Sequence, residues 1–171
     1  MKTLTGILCG RGGQGIVTLN QLLGNIATRL GHPVLSAETH GMAMRGGSVA
    51  TFLKIGPFES PSIAAGSADF VLSTDAGEAV RNAPFLAPGG LCLVDAPAPV
   101  ALPPQFVSVS IDASALAADR FGKPVLAGQI LLGRLFAVFP ELFPPERLLP
   151  LVSGDRKINA DALRLGLETK D

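Results

Sequence analysis

An α/β fold with a mostly parallel open sheet, flanking helices and a helical C-terminal third is predicted by three features of the sequence. Short apolar runs of strand length alternate with helical repeats in the first part of the chain. A glycine-rich turn, GRGGQG at 10–15, separates the first run from the first repeat. From residue 113 onward the patterning is helical throughout. Strand, glycine turn and helix in that order make the layout Rossmann-like.

The elements follow in order. TLTGILC (3–9) is a buried strand, and 14–30 a helix in which Ile16, Leu19, Leu23, Ile26, Ala27 and Leu30 share one face. Gly31 stands where a C-terminal cap needs positive φ, and Pro33 prevents continuation. PVLSAE (33–38) and SVATFLKI (48–55) are the second and third strands. Only a loop joins them, so they are expected to pair antiparallel, where a doubly wound dehydrogenase would have a crossover helix. DFVLST (69–74) is a fourth strand, AGEAVRNAPFL (76–86) a short helix stopped near Pro84 and Pro88, and LCLVDA (91–96) a fifth strand. A stiff proline loop leads to FVSVSID (106–112), a strand for the sheet edge. Helices are expected at 113–122, 124–139, 144–152 and about 158–168, with Pro145 suited to a first turn. No repeat, low-complexity tract or linker interrupts the 171 residues, which read as one domain, 1–171.

Composition narrows the function. Fourteen basic and fourteen acidic residues cancel, and no basic run exceeds two residues, so nothing suits nucleic acid or an anionic membrane. The apolar start is too short for a signal peptide, and the longest apolar helix candidate contains Gln129 and Arg134. A cytoplasmic location is expected. Cys9 and Cys92 sit inside apolar strands and form no CxxC pair, so both read as buried free thiols. Two cysteines cannot supply an iron–sulfur cluster. Only 16% of residues are charged and 47% are hydrophobic, which implies apolar surface for another chain to cover.

Gly10, Gly12 and Gly15 match the dinucleotide fingerprint, which alone is a weak signal. At a helix N-terminus, N–H groups converge under a partial positive charge, a setting for phosphate. The candidate binding residues are Gly10, Arg11, Gly12, Gly13, Gln14, Gly15 and Thr18. The same glycines would also permit tight strand–helix packing, and that alternative stays open.

A second motif follows the second strand. Glu38 lies near where an acidic residue would grip a nicotinamide ribose, but THGMAMRGGS then gathers Thr39, His40, Gly41, Arg45, Gly46, Gly47 and Ser48 in a loop. Such a cluster is placed to face a ligand or a partner. Arg45 suits an anion or an interface, Met42 and Met44 suit an adaptable protein contact, and His40 reads as structural more readily than catalytic.

GRGGQGIVTLNQLL, ETHGMAMRGGSVATFLKIG and SPSIAAGSADFVLSTDAGEAVR together resemble the γ-type subunit or domain of the 2-oxoacid:ferredoxin oxidoreductases. The His-Gly-Met…Arg-Gly-Gly-Ser form is most similar to the β subunit of indolepyruvate:ferredoxin oxidoreductase. The resemblance implies coenzyme A-dependent oxidative decarboxylation of a 2-oxoacid to acyl-CoA, carbon dioxide and reduced ferredoxin. It places thiamine diphosphate and [4Fe–4S] clusters on a partner subunit, and leaves this chain accessory, without catalytic or metal-ligating residues. Coenzyme A phosphates would be contacted here. The rivals are a free-standing NAD(P)- or FAD-dependent oxidoreductase, which needs the missing crossover helix, and a non-catalytic interaction module. A phosphate-loop NTPase is disfavoured, since Gly122-Lys123 runs into Pro124.

Overall fold

The computed structural model of the chain describes residues 2–39 and 46–170. Its six strands form one sheet in the order β2-β3-β1-β4-β5-β6. They are β1 (Leu4–Arg11), β2 (Val34–Glu38), β3 (Ser48–Ile55), β4 (Ala68–Ser73), β5 (Leu86–Asp95) and β6 (Val107–Ile111). β1, β4, β5 and β6 run parallel, and β3 is the one reversed strand, antiparallel to both β1 and β2. The expected β2–β3 pairing is therefore present. β6 takes the expected edge position.

The helices are α1 (Ile16–Arg29), α2 (Ala76–Asn82), α3 (Ala113–Phe121), α4 (Ala127–Val138), α5 (Pro145–Ser153) and α6 (Ala160–Glu168). Alternation along the strands divides the core into two. Leu4, Leu8, Leu53, Phe70, Leu72 and Leu93 pack with all the helices but α2, while Ile7, Cys9, Val71, Cys92 and Val94 pack with Ala79 of α2. Central strands covered on both faces explain the continuous burial of Ile7, Leu8 and Cys9.

Proline shapes two of the boundaries. The sequence reading starts the fifth strand at Leu91, yet β5 begins at Leu86 and includes Pro88, Gly89 and Gly90 as an irregularity: Ala68 pairs with Leu86, and Phe70 with Leu91. Pro84 ends α2 at Asn82 and leaves a 3-10 turn over Ala83–Phe85. α1 ends as the sequence predicts. Gly31 (φ 94°) donates its N–H to Thr28 O and His32 donates to Ala27 O, which satisfies two orphan carbonyls of the last turn. α4 and α6 cross where glycines allow backbone contact: a Cβ on Gly133 would overlap the Leu163 carbonyl, and one on Gly166 the Ile130 carbonyl.

Candidate functional site

The glycine turn closes on itself through one side chain. Arg11 N–H donates to Gln14 Oε1 at 2.6 Å, and Gln14 N–H donates to the Arg11 carbonyl at 3.1 Å. Gln14 Oε1 also accepts from the Thr74 hydroxyl at 2.8 Å, which ties the turn to the end of β4. Gly10 is required there, because a Cβ would overlap Thr74 Oγ1. Gly15 then caps α1 at φ 75°, and no side chain caps the first turn. Packing explains Gly10, and backbone conformation explains Gly15.

The second motif returns to the first. β3 starts opposite the end of β1, with Arg11 paired to Ser48 and Gly10 to Val49. Gly12 N–H donates to Gly47 O at 2.7 Å, and Gly46 N–H donates to Gly12 O at 3.2 Å. Arg11 Nη1 donates to Gly46 O at 3.3 Å. On the other side of the loop, Thr39 donates to Ala50 O from its N–H at 3.1 Å and its hydroxyl at 2.7 Å. His40, Gly41 and Arg45, with Met42 and Met44, lie outside the described residues.

A charged cluster backs this junction. Asp75 caps α2 by accepting from Glu78 N–H at 2.9 Å, and its other oxygen lies 3.6 Å from Arg11 Nε. Glu78 is buried and accepts from the Ser48 hydroxyl. Arg81, largely exposed, has Nη1 3.3 Å from Ser48 Oγ and Nε 3.9 Å from Glu78 Oε1. Burying a carboxylate without such partners is costly. Behind it, burial pushes the Cys9 thiol up to about 12, opposed by a hydrogen bond with Ser73, and pushes Cys92 to about 11.

β1 leads into α1 on one face of the sheet, and its neighbour β4 leads into α2 on the other. The strands' C-terminal ends therefore flank a topological switch point, where open α/β sheets leave a crevice for ligands. Two adjoining cavities occupy it, sharing Gln14, Val125 and Gly128. One of about 430 Å³ runs along α1 past Gly15, Thr18 and Asn25 to Lys157. The other, about 290 Å³, reaches Gly13, Thr74, Asp95 and Ser114.

Glu38 is elsewhere. β3 occupies the place beside β1, so Glu38 pairs with Thr51, which in turn pairs with Leu8. That separation is two strand spacings, about 10 Å. Dinucleotide-binding sheets of order 3-2-1-4-5-6 put their second strand beside the first; here the two outer strands are exchanged. Sequence reasoning missed Thr74, Asp75, Glu78, Arg81 and Asp95. The signal available was TDAGE at 74–78, an N-cap aspartate with glutamate three residues on, directly after a strand.

Each cubane needs four thiolates, whereas both cysteines of this chain are fully buried in the sheet. Among the described residues no group of three or more His, Cys, Asp or Glu side chains could hold a metal ion. No helix among them is long and apolar enough to cross a membrane.

Fold and crevice define a Rossmann-like α/β protein with a switch-point crevice. Residues 6–169 match the family described as pyruvate ferredoxin/flavodoxin oxidoreductase, and the chain belongs to it. It is 28% identical to indolepyruvate oxidoreductase subunit IorB of Archaeoglobus fulgidus over 94% of this chain and 92% of that one. The IorB subunit of Thermococcus kodakarensis is 38% identical over 65% of this chain and 54% of its own length. In fold, the chain is similar to the keto/oxoacid ferredoxin oxidoreductase γ subunit of Geobacter sulfurreducens, with a TM-score of 0.76 at 21% identity and 96% coverage of both chains. It is also similar to 30% of a 2-oxoglutarate:ferredoxin oxidoreductase chain from Magnetococcus marinus, solved with 2-oxoglutarate, coenzyme A and succinyl-CoA; the TM-score is 0.72 at 19% identity over 98% of this chain.

Proposed function

We propose that this chain is the accessory subunit of a cytoplasmic 2-oxoacid:ferredoxin oxidoreductase acting on indolepyruvate or a related aryl pyruvate. Its complex converts the 2-oxoacid and coenzyme A to acyl-CoA and carbon dioxide, and the two electrons released reduce ferredoxin. The observation that carries this reading is the alignment with an indolepyruvate oxidoreductase subunit along nearly the whole of both chains. Thiamine diphosphate and [4Fe–4S] clusters on the partner subunit supply decarboxylation and electron transfer.

This chain, acting as one domain over 1–171, receives coenzyme A at the switch-point crevice. Gly12, Gly13, Gly15 and Thr18 border the diphosphate, and the uncapped first turn of α1 favours it electrostatically. Arg11 and Gln14 hold the turn in shape. The second motif, Glu38 to Ser48, is assigned to contact with the partner. The free-standing nicotinamide enzyme is disfavoured by the inserted, reversed β3.

Anaerobic co-expression with a thiamine diphosphate- and cluster-bearing family partner tests the proposal. A stable complex is expected to co-purify and reduce ferredoxin with indolepyruvate only when coenzyme A is present, while the isolated chain is inactive. Robust 2-oxoacid oxidation by the isolated chain overturns the accessory role. Activity with pyruvate or 2-oxoglutarate but not aryl pyruvates overturns the substrate.

A further inference from the structure

The two cavities that meet at Gln14 differ in charge. The larger has Lys157 on its wall and no carboxylate. The smaller has Asp95 and no cation. Asp95 is the last residue of β5, and Ser114 fixes its carboxylate near the start of α3: Oδ1 accepts from Ser114 N–H at 3.0 Å and Oδ2 from the Ser114 hydroxyl. Each carboxylate oxygen has two acceptor positions, so one on each remains after Ser114 is counted. An immobilised acceptor at the mouth of a parallel sheet selects hydrogen-bond donors and repels anions. Pro124, Val125 and Ala127 give the same cavity apolar walls, against which a flat ring packs. A ligand spanning both cavities therefore has an anionic part toward Lys157 and a neutral, donor-bearing ring beside Asp95.

We propose that Asp95 is a specificity-determining residue that accepts a hydrogen bond from the exocyclic amine of an adenine ring seated in the smaller cavity. The assignment rests on coenzyme A as the crevice's ligand, because that molecule joins an adenine to a diphosphate. It gives the crevice a base preference that the glycine turn, which offers only backbone, cannot supply. An inosine ring places a carbonyl where adenine has its amine, and so puts an acceptor against the carboxylate.

Calorimetry of the full chain with ADP, IDP and coenzyme A as probes tests this. The wild-type chain is expected to bind ADP at least tenfold more tightly than IDP. Asp95→Asn, whose amide can donate to the inosine carbonyl, is expected to bring that ratio near one while coenzyme A still binds. Ser114→Ala keeps the carboxylate and is expected to keep the preference for ADP. The wild-type comparison stands by itself should Asp95→Asn fail to fold. Equal affinities for ADP and IDP in the wild type, or a preference that survives Asp95→Asn, overturns the assignment and leaves coenzyme A binding intact. Absence of coenzyme A binding to the wild-type chain overturns both.

Discussion

The Ser48 hydroxyl donates to the Glu78 carboxylate, joining the first residue of β3 to the first turn of α2 across the end of β1. Glu78 is 1% exposed, and its carboxylate is partnered by that hydrogen bond and by the Arg81 guanidinium. Ser48→Ala removes the donor and leaves the carboxylate buried. The expected cost is about 1–3 kcal/mol, or a melting temperature lower by about 2–12 °C for a chain of this size. Thermal and urea unfolding check it. An unchanged midpoint would mean that the cluster contributes nothing to stability.

Gly15 and Gly10 separate two uses of glycine. At Gly15 a Cβ would meet nothing within 4 Å, so Gly15→Ala is penalised only by its φ of 75°. That penalty is about 1–2 kcal/mol, and Gly15→Asn should recover part of it, since asparagine tolerates the left-handed region. Gly10→Ala instead drives a methyl into Thr74 Oγ1 and Ile16. It should cost about 1–3 kcal/mol, and asparagine should be worse. If Gly10→Asn and Gly15→Asn behave alike in chemical denaturation, the distinction fails.

The thiols predict an alkaline limit. Cys9 is raised to about 12 and Cys92 to about 11 by burial, against about 8.5 for an exposed thiol. A raised folded pKa favours the folded state fully below the unfolded value, and this stability is lost as pH rises toward the folded value. Stability should therefore fall between about pH 8.5 and 11, by about 1.4 kcal/mol per pH unit for each thiol. Replacing both cysteines by alanine should flatten that slope. Ellman's reagent should react with neither thiol in the native chain at pH 8 and with both in urea.

Glu38 offers a control on the site. It lies two strands from the glycine turn, so Glu38→Ala should leave the complex's KM for coenzyme A within about twofold. Gly12→Asp should abolish coenzyme A binding by adding bulk and negative charge at the turn. Equal loss in both variants would move the ligand away from the crevice.

Much of this architecture was legible in the sequence because local signals carried it. Ile16 to Leu30 announce α1 by their spacing, and the nine-residue loop between Glu38 and Ser48 is too short for a crossover helix, hence the reversed β3. The misreadings fell where tertiary context overrides local preference. Pro88 and Gly89 stay within β5 as a bulge between the Ala68–Leu86 and Phe70–Leu91 pairs, held by Gly89 N–H donating to Gln105 O. For the site, the glycine turn was visible as a motif, but its partners were not. Thr74, Glu78 and Asp95 lie 60 residues or more from Gln14, and only the parallel order β1-β4-β5 brings them to one end of the sheet. Gln14 itself looks like a ligand-facing amide in sequence, whereas its carboxamide is engaged with Arg11 and Thr74.

The strand order also bears on how the chain assembles in time. β2, β3 and β1 all come from residues 4–55, and β4, β5 and β6 from residues 68–111, so each half-sheet is built from sequence-local pairings. Among the described residues one strand ladder joins the two half-sheets, Gly6–Cys9 against Phe70–Ser73. Closing that seam demands the longest loop and so is expected late. The crevice lies over the end of this seam, with Gly13 and Gln14 on one bank and Thr74 on the other. A molecule lodged there acts as a rivet, and its chief kinetic signature should be slower unfolding with an unchanged folding rate.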